Sequence, residues 1–222
     1  MLLNSGSHPG PMAELGFWKS VSMNLNSIFE QLQTEKVRRV LRFLDRAKST
    51  YTGPFGKLCK EMFMARIQAN SNHKFLRALR PWLENMEGEL EFEKLPRHFR
   101  PIMHTILLIW KGSPYYNSPA RLVVVMRELC NTLITKATAY LSGDRVFELI
   151  ENEQSREAIE MLRTMLRVFG TFKTTYFDYK SKAAIECPEN PWRVQNNAIF
   201  VRLDAFLERC HDVLDLTQTI LQ

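Results

Sequence analysis

Glycine is scarce in this sequence. Nine residues of 222 are glycine, about 4% against a usual ~7%. That shortage disfavours turn-dense β architectures and glycine-rich phosphate loops. Long apolar runs are missing as well. The longest, Ile106–Trp110 and Leu122–Met126, fall far short of the ~20 residues that span a bilayer. Cysteine is sparse and scattered: Cys59, Cys130, Cys187 and Cys210 form no C-x-x-C pair. They read as free thiols of a reducing compartment rather than a disulfide framework. The first residues, Met1–Pro11 (MLLNSGSHPGP), lack a basic n-region and a long apolar h-region, so they are no signal peptide. Neither sign of charge dominates. Thirty Lys and Arg against twenty-four Asp and Glu leave +6, well short of a balance that by itself implies nucleic acid.

What is present is hydrophobic surface with helical spacing. Hydrophobic residues make up 45% of the chain, with fourteen Phe and four Trp, enough for a sizeable core. Met1–Pro11 has no helical period and reads as a disordered leader or an unrelated alternative start, so the chain divides into residues 1–13 and a helical segment 14–222. From Glu14, Phe17, Trp18, Val21, Leu25, Ile28, Phe29 and Leu32 recur at three and four, which predicts a first helix. Thr34 is placed to cap a second, with Val37, Val40, Leu41 and Leu44 on its apolar face. Tyr51–Gly56 is a break. Pro54 then opens a third helix with Phe55, Leu58, Cys59, Met62, Phe63 and Ile67 inside. Ser71 or Asn72 is the expected cap of a short fourth helix, and Pro81 its end or kink.

The second half is better punctuated. Glu84–Arg100 is irregular, and Pro96 and Pro101 interrupt it. Pro101–Lys111 is strongly apolar and stops at Gly112. Ser118-Pro119 is an N-cap followed by proline, opening a helix to about Leu141. A turn at Ser142-Gly143-Asp144 precedes a short helix with Val146, Phe147 and Ile150. Ser155 caps the next, which buries Ala158, Ile159, Leu162, Met165, Leu166, Phe169, Phe172 and Phe177. After the break at Cys187–Trp192, a last helix uses Ile199, Phe200, Leu203, Phe206, Leu207, Cys210, Val213 and Leu214. It is still amphipathic at Gln222 with no C-cap, which predicts a chain cut within a larger structure. The sum is an all-α fold of consecutive antiparallel bundles, with no repeat period of a solenoid.

Chemistry is hard to find. Gly53-Pro54-Phe55-Gly56-Lys57 lacks the G-x-x-x-x-G-K-[ST] spacing of a phosphate loop. Cys210 and His211 are neighbours on a helix and point about 100° apart, so they do not share one ion easily. There is no H-E-x-x-H and no G-x-S-x-G. His104 stands among apolar neighbours and reads as a hydrogen-bonded core or interface residue. Glu157 and Glu160 beside Arg156 and Arg163 read as a solvated ion-pair lattice. No catalytic, cofactor-binding or metal-binding residue is assigned. One basic stripe stands out: Arg38, Arg39, Arg42 and Arg46, flanked by Lys36 and Lys48, on the face opposite Val37 and Leu41. It offers a surface to RNA or to an acidic protein, although no aromatics interleave with it as a stacking platform requires.

Four patches carry a resemblance. The first is Phe17-Trp18, then Asn24–Ile28, Glu30-Gln31-Leu32 and Ala47-Lys48-Ser49. The second is Lys74-Phe75-Leu76 with Leu79 and Pro81. The third is Leu108-Ile109-Trp110 running into Tyr115–Arg121, and the fourth runs from Trp192 through Phe200–Leu203 and Phe206–Arg209 to Asp215-Leu216. In order and spacing, Leu15–Gln222 resembles the N-terminal tail region of dynein heavy chains, most closely the axonemal members of cilia and flagella. That resemblance implies a non-catalytic part of an elongated helical tail, since the family's motor ring and its nucleotide loops lie C-terminal to it. It implies a scaffold for intermediate, light-intermediate and light chains, other heavy chains and axonemal docking components, in the cytoskeleton of a cilium or flagellum. No cofactor, membrane or nucleic acid is implied. Amphipathic aromatics suit interfaces, so Tyr115, Tyr116 and Trp192 join Arg38, Arg39 and Arg42 as candidate contact or inter-bundle residues. The alternative is an independent basic helical module binding RNA or an acidic protein surface.

Overall fold

The computed structural model describes residues 10–142, 146, 148–149 and 154–220. The described residues form helices and no strand. In order these are α1 (Pro11–Leu32), α2 (Glu35–Arg46), α3 (Thr52–Leu76), α4 (Arg80–Gly88), α5 (Pro96–Gly112), α6 (Pro119–Leu141), α7 (Ser155–Glu186) and α8 (Asn196–Ile220). Single 3₁₀ turns at Arg77–Leu79 and Phe92–Lys94 flank α4. The all-α reading therefore stands. Residues 1–9 of the expected leader, Gly143-Asp144 of the expected turn, and Phe147 and Ile150 of the expected short helix lie outside the described residues.

Several boundaries move for identifiable reasons. Helix α1 begins at Pro11 rather than Glu14, because a proline at the first helical position gives up an N–H that has no partner there anyway. Thr34 does precede α2, but its hydroxyl donates back to the Gln31 carbonyl at 2.7 Å instead of capping. No break occurs at Ser71 or Asn72. Helix α3 runs on to Leu76 because Ala69, Asn72 and Leu76 line its one buried face. Pro81 starts α4 instead of ending it. Pro101 sits inside α5, where it forgoes only the bond to the Arg97 carbonyl. The nine side chains that α5 buries outweigh that loss.

Helix directions follow from the contacts. In α1 and α3, Ser22 pairs with Asn70, Asn26 with Arg66 and Phe29 with Phe63, so the two run antiparallel. Phe99 meets Phe172 and Lys111 meets Glu186, so α5 and α7 run parallel. Arg127 reaches the Ala198 carbonyl and Arg202 reaches Asn131, so α6 and α8 run parallel too. Lys173–Asp204 and Lys180–Asn196 make α7 and α8 antiparallel. The result is an up-down-up-down body of α5 to α8, with α4 and the first half of α1 packed on it.

One contiguous core runs from Leu15 to Leu214. Its spine is α7, where Leu162, Met165, Phe169, Phe172, Tyr176, Tyr179 and Ala183 are all buried. Their spacing alternates four and three, a 3.5-residue repeat. Phe177 falls off that seam and is exposed, while Tyr176 takes the expected inward place. His104 is not a core residue: it is exposed, with its ring against Tyr179 at 6.2 Å. Of the residues expected inside α8, Val213 is exposed, while Leu214 beside it is buried as expected.

Candidate interaction site

The expected interior of α3 is the largest correction. Leu58 and Phe63 are exposed, and Phe55, Cys59, Met62 and Ile67 only half-buried. The same holds across all three neighbouring helices. From Met23 to Gln68 not one residue is buried, although this stretch is rich in Leu, Val, Ile, Phe and Met. The second half of α1, all of α2 and the first two-thirds of α3 thus form an arm whose apolar face has no cover. Helix α2 has no buried residue; Val40 is 52% and Phe43 70% exposed. Leu32, Val37, Leu41, Leu44, Tyr51 and Phe55 line an apolar groove of about 400 Å³ between α2 and the start of α3, with Lys36 at its edge.

The arm is held together differently from the body. Asn26 and Asn70 exchange side-chain amide hydrogen bonds at 2.9 and 3.2 Å. The Ser22 hydroxyl donates to Asn70 Oδ1 and the Arg66 Nε to Asn26 Oδ1, both at 2.6 Å. The Arg66 guanidinium also lies 4.0 Å over the Phe29 ring, a cation–π contact. The basic stripe is on the surface of α2. Arg39 and Arg42 share the Glu35 carboxylate at 3.1 and 2.6 Å, and Arg38 donates to the Gln33 amide oxygen at 2.7 Å. Arg46, Lys36 and Lys48 have no ion pair among the described residues.

Where arm meets body, Glu14 is 7% exposed. Its Oε1 accepts the Trp18 indole N–H and the Tyr116 hydroxyl, each at 2.9 Å, and Arg121 approaches to 3.8 Å. The Arg121 guanidinium lies 4.6 Å over the Trp18 ring. Burial first, then the Glu14 charge, pushes the Tyr116 phenol far above its ordinary range, so it stays a donor. This carboxylate joins α1 to the α5–α6 connection. The residue types at Glu14 and Trp18, an acid four residues before an indole on an otherwise apolar face, were the signal in the sequence.

The aromatic candidates divide. Tyr115 is half-buried, beside Lys60, Met64 and Gln68 of α3. Tyr116 and Trp192 are spent on contacts between helices of this chain. Trp192 is 1% exposed, stacked on Tyr176 at 6.0 Å and edge-on to Trp110 at 6.3 Å. Trp110 donates its indole N–H to the Asn190 carbonyl at 2.6 Å, and the Asn190 amide reaches the Asn117 carbonyl at 3.0 Å. The Cys187–Trp192 break is thereby pinned to both ends of the α5–α6 connection. The structure brings Arg38, Arg39 and Arg42 together on α2, apart from the three aromatics.

Other chemistry does not assemble. The four cysteines are free. Burial pushes the Cys130 thiol up to about 12, with the Asp204 charge adding to it, and burial likewise pushes the Cys210 thiol up to about 11. Both stay protonated and unreactive at neutral pH. Among the described residues no three His, Cys, Asp or Glu converge as a metal site would require, and no helix is long and apolar enough to cross a membrane.

Comparison with known proteins gives this geometry a context. The family described as dynein heavy chain, N-terminal region 1, matches residues 2–222, which takes in all but the first residue of the segment expected as a leader. The chain is 48% identical over 221 residues, its whole length, to the dynein beta chain of the flagellar outer arm of Chlamydomonas reinhardtii. It is 34% identical to dynein axonemal heavy chain 9 of Homo sapiens and 32% identical to the ciliary dynein beta chain of Heliocidaris crassispina, with 99% and 98% of the chain covered. In each case it spans 5% of the relative's own length. The packed helical body, its uncovered arm and this end-to-end similarity agree: the chain belongs to the dynein heavy chain family and corresponds to its N-terminal region.

Proposed function

We propose that this chain is a non-catalytic scaffold segment in the tail of an axonemal dynein heavy chain. It assembles the heavy chain with intermediate, light-intermediate or light chains and other heavy chains, and helps anchor the motor in a cilium or flagellum. The observation that carries the reading is the unbroken similarity to flagellar outer-arm and ciliary heavy chains. The structure supports it through the arm, which leaves a continuous apolar face for a neighbour to cover. Nucleotide chemistry is assigned to the remaining length of the heavy chain, and the elongated stack of bundles to the tail as a whole.

The test is a pull-down with the tagged chain from ciliary extract, followed by mass spectrometry. Other dynein subunits or axonemal docking components are expected in the bound fraction. Recovery of none of them overturns the proposal.

A further inference from the structure

We infer that Lys19, His73, Arg77 and Arg80, where the arm meets the body, form a binding site for a phosphate group, free or carried on a phosphorylated side chain. The site holds whether or not the chain acts as a scaffold.

The seam between α1 and α3 sets the place. Phe29 meets Phe63, Asn26 meets Arg66 and Ser22 meets Asn70. Each step of three or four back along α1 is matched by the same step forward along α3. One further step of three puts Lys19 opposite His73. The first three rungs are aromatic or hydrogen-bonded, whereas this one sets an ammonium against an imidazole. Arg77 follows His73 by four residues, about 6 Å along the same face. Arg80 lies just beyond, at the start of α4. All three cations act on His73. Burial first, then the charges of Arg77, Lys19 and Arg80, hold its imidazole below the ordinary value, and no carboxylate is among the groups that act on it.

Little within the chain neutralises this cluster. Lys19 and Arg77 have no ion pair among the described residues. Arg80 has only an exposed pair with Glu84 at 3.3 Å, and such pairs hold weakly. The α2 stripe differs, since Arg39 and Arg42 already share the Glu35 carboxylate. His73 is half-buried and the other three are exposed, so the cluster is open to a ligand from solvent.

The arrangement also selects the kind of anion. Its donors come from α1, α3 and the start of α4 rather than from one helix face. A carboxylate offers two oxygens in one plane and a single charge. A phosphate offers a tetrahedron of oxygens and up to two charges, and guanidinium groups grip it through paired N–H donors.

The test follows the His73 ring by NMR in the whole 222-residue chain, with His73→Gln to assign its signal. Sodium phosphate and sodium chloride are compared at equal ionic strength. Phosphate is expected to raise the pH midpoint of the His73 titration by at least about 0.5, because a bound anion favours the protonated ring. His104, exposed on α5, should not move. Lys19→Gln with Arg77→Gln, both at exposed positions, should abolish the response to phosphate with an unchanged circular dichroism spectrum. A phosphoserine peptide and its serine twin distinguish the sources. A response to the phosphopeptide at lower concentration than to free phosphate assigns a phosphorylated partner, and a response at the same concentration assigns free phosphate. An equal effect of chloride, a matching shift of His104, or a response that survives the double substitution overturns the inference. So does a glutamate peptide that acts as well as phosphate, or polyuridine RNA that acts at lower concentration than either phosphate source.

Discussion

The arm and the body are built from similar helices, yet differ in what closes them. Met23–Gln68 contains no buried residue, whereas Ala69 onward supplies most of a continuous aromatic and aliphatic core. In the body, Phe99, Phe172, Tyr176, Phe200 and Trp192 lock edge to face and face to face. In the arm, a ladder of amides and a surface ion-pair cluster do that work. Apolar burial contributes roughly 25 cal/mol per Å² and exposed ion pairs only ~0–1 kcal/mol each. Most of the described chain is therefore finished by its own sequence. The arm is finished only when something else covers it.

That difference predicts a graded response to substitution. The largest effect belongs to the body. Trp192→Ala removes a fully enclosed indole and should cost about 3–5 kcal/mol, lowering the melting temperature by roughly 10 °C in a chain of this size. A loss under about 1 kcal/mol would break the comparison, since the body would then be no better packed than the arm. Glu14→Ala comes next. It strands the Trp18 and Tyr116 donors inside the junction and should cost about 3 kcal/mol by denaturant titration. Glu14→Gln, which keeps an acceptor, should cost clearly less.

A third test uses pH. Arg97 and His98 both meet Glu89 in the α4–α5 connection of the body. Burial alone would raise the Glu89 carboxyl, but the Glu91 backbone N–H, His98 and Arg97 outweigh it and hold it below the usual carboxylate range. A lowered carboxylate stabilises the fold above its unfolded value and loses that contribution as pH falls through the folded value. The melting-temperature gap between the native chain and Glu89→Gln should be present at about pH 7 and close in acid. A gap that widened on acidification would contradict the assignment. The smallest effect belongs to the arm. Phe43→Ser, at 70% exposure, should change stability by no more than about 0.5 kcal/mol. A cost near that of Trp192→Ala would show that the arm is closed after all.

The sequence made the fold class legible because periodicity and punctuation are local. Ser118-Pro119 marks the start of α6, and the four-and-three spacing along α7 marks its buried seam. The same spacing favours Tyr176 over Phe177, and only the greater apolarity of phenylalanine argued the other way. What could not be read was whether a stripe is covered. Phe55, Leu58, Met62 and Phe63 have the pattern of an interior face, but a pattern reports which face is apolar and not what lies against it. Asn72 failed for the converse reason: asparagine favours caps locally, and the packing of α3 against the body overrides that. Of the candidate residues, the α2 arginines were legible from spacing alone. The inward places of Tyr116 and Trp192 depend on Glu14 and Tyr176, distant in sequence and adjacent only once folded.

The Asn26–Asn70 pair gives the arm a property that its missing core would otherwise deny it. Two helices joined by greasy side chains can slide past one another by a turn, about 5.4 Å, and find similar contacts. Two asparagines that exchange bonds in both directions have one registration. A slide of that length breaks both bonds together with those of Ser22 and Arg66. The pair therefore opposes a slide of one helix past the other, in either direction, by the bonds that such a slide breaks.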